Sequence, residues 1–297
     1  MESDVAMMRI VKWAAVVFAV LAGLIVLAIA LVFITSQRML DRTYPKRPTA
    51  VHAASTPEAL AQGAHLVVVA TCTDCHGKDL TGTLLPVPGS TVYAPNLTVI
   101  TNSLSDADID RAIRQGLRPD GKSELLMPSH GYASFSDDEV ASIIGYLRSL
   151  KPQGTASPSL RFGVEVRAAI VSGIVRPEAA DSENATPPLD LGARYGKGRH
   201  LAQVVCGQCH GTNLSGTPPK DPVPAPDLLI VAAYDPGAFH SLMRTGKSAS
   251  GREASVMSKI VPGNISRLTD DEIDAIYDYL AARAKALTAG QSSSSGR

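Results

Sequence analysis

Cys72-Thr73-Asp74-Cys75-His76, followed by Gly77, is the stretch from which the rest of this 297-residue chain is read. Two cysteines three positions apart lie on one face of a helical turn, and the next residue brings an imidazole to the same side. C-x-x-C-H is the attachment signature for c-type haem: the thiols add to the porphyrin vinyls as thioethers and the imidazole reaches the iron. The signature returns at Cys206-Gly207-Gln208-Cys209-His210, again followed by a glycine, Gly211. Together the two runs use all 4 cysteines, so none remains for a disulfide. A shared zinc site fits poorly, because ribbon sites hold their pairs about 15–20 residues apart and these pairs are 206 − 72 = 134 apart. A thioredoxin-like C-x-x-C needs a βαβ setting, which neither run has. The pattern implies two covalently bound haem c, with His76 and His210 as proximal iron ligands.

The chain is long enough for about two domains. Lys plus Arg and Asp plus Glu are 28 each, so no basic surface points to nucleic acid and no acidic excess points to disorder. Aromatic residues are 5% of the chain, a thin supply for its core, and buried haem would add apolar volume.

Residues 13–34 carry no charge and are rich in Val, Ala, Leu and Ile. As a helix this run spans roughly 33 Å, enough for a hydrocarbon layer of about 30 Å. It exceeds the about 7–15 apolar residues of a signal peptide, and Thr35-Ser36-Gln37-Arg38 offers no small-residue cleavage site. An uncleaved transmembrane anchor over 13–34 is expected, with 1–12 cytoplasmic before it. Residues 35–56 read as a polar tether, because Pro45, Pro48 and Pro57 discourage helix.

Beyond the tether the chain repeats itself. Gly63-Ala64-His65-Leu66 before the first motif answers Gly198-Arg199-His200-Leu201 before the second. Ser136-Asp137-Asp138-Glu139 is a capping box, and Val140, Ile143, Ile144 and Leu147 follow on one helical face. Thr269-Asp270-Asp271-Glu272 with Ile273, Ile276, Tyr277 and Leu280 repeats both features. The capping role also accounts for these acidic clusters without acid–base chemistry. Ser105 with Asp106 and Asp108 predicts a helix start, and Gly116 its stop. Internal duplication predicts an all-α fold: domain 1 over 57–151, an interdomain linker over 152–190, domain 2 over 191–290, and a disordered tail over 291–297. The moderately apolar stretch from Leu160 to Val175 is expected to pack between the domains.

With those residues in view, each half resembles a class I cytochrome c domain. Ala94-Pro95-Asn96-Leu97-Thr98, Ser105-Asp106-Ala107-Asp108 and Arg114-Gln115-Gly116-Leu117-Arg118-Pro119-Asp120-Gly121 are similar to the multihaem cytochrome c subunit of periplasmic alcohol and aldehyde dehydrogenases. The likeness covers roughly 58–290. That family usually carries three haem domains and this chain has two. The second half has Ala225-Pro226-Asp227-Leu228 and lacks R-P-D-G.

The resemblance implies two tandem cytochrome c domains behind one inner-membrane helix, facing the periplasm. Basic residues argue the other way, since Arg38, Arg42, Lys46 and Arg47 outnumber Arg9 and Lys12 across the helix. Long domains are exported largely regardless of that count. The implied work is electron transfer, not catalysis: from a dehydrogenase catalytic subunit to a soluble cytochrome, quinone or terminal oxidase in a respiratory chain. The alternative is a dihaem redox enzyme such as a peroxidase or a thiosulfate-oxidising cytochrome. Paired methionine ligands and the lack of a third cysteine in either half argue against it.

By the same resemblance the carbonyls of Pro95 and Pro226 accept from the two histidines, with Pro88 as a competitor for the first, and Met127 is the opposite iron ligand in domain 1. Two methionines compete in domain 2. Met257 follows Gly246 by 11 residues, as Met127 follows Gly116, whereas Met243 aligns with the apolar Ile113. Met257 is therefore expected to ligate. His65 and His200 are expected to bond or pack against the C-terminal helix. His130 and His240 remain alternate ligands.

Overall fold

A computed structural model describes residues 2–217, 224–254 and 256–294. Helix α1, Glu2–Leu40, is long and apolar enough to cross a membrane. Its side chains from Trp13 through Ile29 are exposed on every face, a state that lipid stabilises and water does not.

Domain 1 follows as α2 (Pro57–Val69), α3 (Cys72–His76), a ribbon of β1 (Thr83–Leu85) and β2 (Val92–Ala94), α4 (Leu97–Ile100), α5 (Asp106–Gln115), α6 (Ser129–Tyr132) and α7 (Asp137–Ser149). The ribbon is antiparallel, with Leu84 opposite Tyr93, in a stretch that the glycines and prolines mark as loop. Next come α8 (Val164–Val171) and α9 (Glu178–Glu183). Domain 2 holds α10 (Gly196–His210), α11 (Pro236–Thr245), α12 (Met257–Ile260) and α13 (Asp270–Ser294).

Local chemistry sets these boundaries. Thr56 caps α2 and Pro57 opens it. Ser105 accepts from the Asp108 amide, and Gly116 ends α5 in the left-handed region. Ser136 and Glu139 form both halves of the capping box on α7. In domain 2, Glu272 accepts from the Thr269 amide and Thr269 from the Glu272 amide.

Each domain is built on one close helix crossing. A Cβ added at Gly63 of α2 would lie 2.0 Å from the Ser142 carbonyl oxygen of α7. At Gly198 of α10 it would lie 1.9 Å from the Ala275 carbonyl oxygen of α13. Around these crossings Leu66, Val67, Val140, Ile144 and Leu147 in one copy, and Leu201, Val205, Ile273, Ile276 and Leu280 in the other, join one continuous buried core.

Three expectations about connections change. The segment read as a tether is helical to Leu40 and then lies as an extended strap on domain 1. The Tyr44 amide donates to the Gly121 carbonyl (2.9 Å), Ala53 to Asp106 (2.8 Å) and Ala54 to the Ala141 carbonyl (2.9 Å), while Val51 is buried. The prolines prevent helix but leave extended backbone free to pair. The apolar stretch beginning at Leu160 does not lie between the domains. Its helix α8 packs against the C-terminal end of α1, and Arg167 donates to Ser36 Oγ (2.9 Å). The last helix continues through Ser294, past the expected domain end at 290, while 295–297 lie outside the described residues.

Candidate functional site

In domain 1, α2 ends at Val69 and Thr71 takes a left-handed conformation (φ 61°) before α3 begins at Cys72. His76, 8% exposed, points its Nδ1 at the Pro95 carbonyl oxygen, 2.8 Å away. The competing Pro88 carbonyl instead accepts from Ser90 Oγ. Pro95 is held between β2 and Asn96, whose side chain caps α4 and donates to the Gln153 and Thr155 carbonyls.

In domain 2, α10 runs without interruption from Gly196 through the second motif. His210, also 8% exposed, has Nδ1 2.8 Å from the Pro226 carbonyl. The residue after Pro226 is Asp227, where domain 1 has Asn96. Its carboxylate pairs with the buried Arg283 of α13 at 2.9 Å, a partner that domain 1 lacks because α7 ends at Ser149.

In both copies the Nδ1–H donates to a carbonyl, which leaves Nε2 as the lone-pair nitrogen. Burial pushes both imidazoles below their usual range, opposed by that hydrogen bond, so the neutral, ligating form is favoured. Burial also pushes the Cys72 and Cys206 thiols up to about 12. Such thiols are poor zinc or exchange thiolates. Among the described residues no group of three or more His, Cys, Asp or Glu side chains converges as a metal site. The donor set does suit covalent haem: two thiols on one turn and an imidazole with Nε2 free. Cys72 and Met127, like Cys206 and Met257, sit partly buried at the edge of the core. Met243, 4% exposed, is inside it on α11, as Ile113 is on α5.

Four further histidines have carboxylate partners. His130 Nδ1 is 2.8 Å from Glu178 of α9, and His240 Nε2 is 2.7 Å from Asp274. His65 and His200 do bond to C-terminal helices, but each reaches the helix of the other copy. His65 Nε2 donates to Glu272 at 3.0 Å, and His200 Nε2 to Glu139 at 2.8 Å. Each capping-box glutamate thus serves its own helix and the opposite domain.

The two attachment turns also touch. Gln208, between the cysteines of the second motif, accepts from Thr71 Oγ1 (3.1 Å) and donates to the Ala70 carbonyl (3.2 Å). Tyr132 of α6 places its hydroxyl 2.7 Å from the same carbonyl and 3.0 Å from Gln208 Oε1. On the other side of the interface, Thr73 donates to Asn264 Oδ1, and Asn264 Nδ2 donates to Asp74. Burial first, and then the charge of Asp74, raise the Cys209 thiol of the other copy.

Gln208, Thr71, Tyr132 and Asn264 were not singled out from the sequence. One signal was present: seven positions separate His65 from Cys72, and six separate His200 from Cys206. Thr71 absorbs the extra residue, and its turn frees the Ala70 carbonyl for the second domain.

Comparison with known proteins bears on both halves. The family described as "Cytochrome C oxidase, cbb3-type, subunit III" matches residues 58–147, and the family described as "Cytochrome c" matches 195–283. The chain is 27% identical over 284 residues to the fructose dehydrogenase cytochrome subunit of Gluconobacter japonicus, covering 84% of this chain and 57% of that protein. It is 25% identical over 271 residues to the cytochrome c subunit of a quinone alcohol dehydrogenase from Gluconacetobacter polyoxogenes, covering 76% and 57%. It is 24% identical over 259 residues to the gluconate 2-dehydrogenase cytochrome c subunit of Pantoea cypripedii, covering 74% and 58%. The chain therefore spans little more than half the length of these relatives.

Proposed function

Because this chain is a c-type cytochrome of class I, we propose that it is a membrane-anchored dihaem electron-transfer subunit. It takes electrons from a dehydrogenase catalytic subunit and delivers them to a respiratory acceptor, a soluble cytochrome, a quinone or a terminal oxidase. The names of its relatives support a dehydrogenase donor. Bound haem c would supply the one-electron ferric–ferrous couple.

The protein's own groups do the rest. Cys72, Cys75, Cys206 and Cys209 would hold the groups covalently. His76 and His210 offer Nε2, with tautomer and ring orientation fixed by the Pro95 and Pro226 carbonyls. Met127 and Met257 would supply the second protein ligand to each iron, and a thioether in that role would raise the potential and close the iron to outside ligands.

The observation that carries the reading is the direct bonding of the two attachment turns through Gln208, Thr71 and Tyr132. Two independent carriers on one chain would not need it, whereas a relay needs a fixed separation between its stations. Haem c attachment outside the inner membrane supports a periplasmic position for both domains, with α1 as the inner-membrane anchor. Long exported domains override the basic residues after the helix.

Intact-mass measurement of the purified, haem-loaded protein should show two covalent haems that survive acid–organic extraction. A substrate-reduced sugar- or alcohol-oxidising membrane dehydrogenase should then reduce both. A mass corresponding to one haem or none overturns the dihaem reading, and failure of every such dehydrogenase to reduce the protein overturns the donor.

A further inference from the structure

Helix α8 presents two unlike faces. Its inner face meets the end of the anchor: Ile170 is 1% exposed, and Arg167 stacks over the Phe33 ring at 4.6 Å while donating to Ser36 and Gln37. The outer face carries Val164, Ala168 and Val171 at i, i+4 and i+7, all exposed. Ile174, 59% exposed, extends this face beyond the helix, held near it because its amide donates to the Ala169 carbonyl (2.9 Å).

The position of that face identifies what covers it. The apolar run of α1 ends at Ile34, before the polar Thr35-Ser36-Gln37 and the charged Arg38, and a helix of that length places its end about at the edge of the hydrocarbon layer. Helix α8 is bonded to residues 36 and 37, at the level of the headgroups. Beside it lies an open groove with Phe33 and Ile34 as its apolar wall and Gln37, Arg38, Asp41 and Arg167 around its rim, the Asp41 carboxylate being paired with Lys122 at 2.7 Å. Arg42 adds exposed positive charge, and the exposed Arg176 is paired with Asp181 at 3.3 Å. An apolar face continuous with a spanning helix and bordered by arginines is the chemistry of an interfacial helix on anionic lipid.

We propose that α8 and the turn through Ile174 form a second membrane contact, lying in the interface with Val164, Val171 and Ile174 in the bilayer boundary and the arginines at lipid phosphates. The contact clamps domain 1 against the membrane surface instead of leaving it free at the end of one helix. This inference rests on the reading of α1 as the anchor.

Nitroxide labels separate the two ideas. The full haem-loaded chain is reconstituted in nanodiscs of phosphatidylcholine and phosphatidylglycerol, as Val171→Cys, Ile174→Cys, Leu21→Cys and Asp278→Cys. Power-saturation EPR then compares collisions with oxygen, which concentrates in lipid, against a water-soluble nickel chelate. Leu21→Cys reports the anchor, and the exposed Asp278 on α13 reports water. The oxygen-to-nickel ratio at Val171→Cys and Ile174→Cys is expected to exceed that of Asp278→Cys by about fivefold or more, as for interfacial burial. Ratios equal to Asp278→Cys, with Leu21→Cys still lipid-like, overturn the contact and leave the anchor standing. A face reserved for another protein subunit gives that same result, because the discs contain no other protein. A water-like Leu21→Cys overturns the anchor itself. Should one label variant lose haem absorbance, Val164→Cys samples the same face.

Discussion

At the scale of single residues, covalent attachment makes the chemistry legible and distance makes the rest obscure. Cys72, Cys75 and His76 are recognisable because thioether formation and ligation demand fixed spacing along the chain. Gln208 fills one of the unspecified positions of its motif, and its partners at Ala70, Thr71 and Tyr132 are far away in sequence. The methionines fall between these cases, since register alone distinguishes Met257 from Met243. Met257→Ala should remove one methionine–iron charge-transfer band near the red end of the spectrum and lower the potential of one haem. Met243→Ala should leave both bands and cost about 2–5 kcal/mol through the cavity left at a site 4% exposed. Near-infrared absorption and denaturant unfolding of the two variants check this, and loss of a band in Met243→Ala would reverse the alignment of the two halves. Gln208→Ala makes a separate claim. It removes the bonds between attachment turns while leaving every ligand, so both bands should persist while electron exchange between domains slows in flash-photolysis kinetics. An unchanged rate would reduce Gln208 to a packing residue.

At the scale of elements, periodicity and capping chemistry predict the helices well because those signals are local. Ser105, Ser136 and Thr269 each begin a helix as their side chains require. The β1–β2 ribbon is hidden because its strands are three residues each, flanked by turn residues that dominate the pattern. The strap is hidden for a different reason: proline excludes helix but says nothing about which surface an extended segment will find. Within α10 two glycines look alike in sequence and differ in what surrounds them. At Gly198 a Cβ would meet the Ala275 carbonyl at 1.9 Å, whereas at Gly207 its nearest neighbour is 3.7 Å away. Gly198→Ala must push α10 from α13 and should cost about 1–3 kcal/mol or prevent folding. Gly207→Ala should be neutral or stabilise by up to about 1 kcal/mol through helix propensity. Thermal unfolding of the two variants measures the contrast, and similar midpoints would mean that the crossing is not the tight contact described.

At the scale of the whole molecule, duplication is evident in the sequence, but the way the copies meet is not. A repeat predicts two similar folds and leaves their relative placement free. Here that placement is marked by a reciprocal exchange, His65 to Glu272 and His200 to Glu139, using the one glutamate in each copy that also caps a helix. The exchange makes docking of the domains sensitive to pH. The hydrogen bond to Glu272 raises His65 above its usual range, with burial opposing it. Burial works against ionisation of Glu272, but the bond from His65 and the capping amide hold its pKa below the usual value. A raised histidine stabilises the folded state fully below its unfolded pKa and loses that contribution as pH rises through its folded value. A depressed glutamate contributes above its unfolded pKa and loses it as pH falls through its folded one. The pair is therefore strongest between the ordinary glutamate value, about 4.5, and the raised value of His65, above about 6.5. Between about pH 6 and pH 8.5 the unfolding midpoint of the haem-loaded protein should fall, and His65→Gln should flatten that fall while keeping a neutral hydrogen bond to Glu272. Both midpoints are read by calorimetry at constant ionic strength. If His65→Gln keeps the wild-type slope, the His65–Glu272 bond does not carry the pH response, and another group at the interface must.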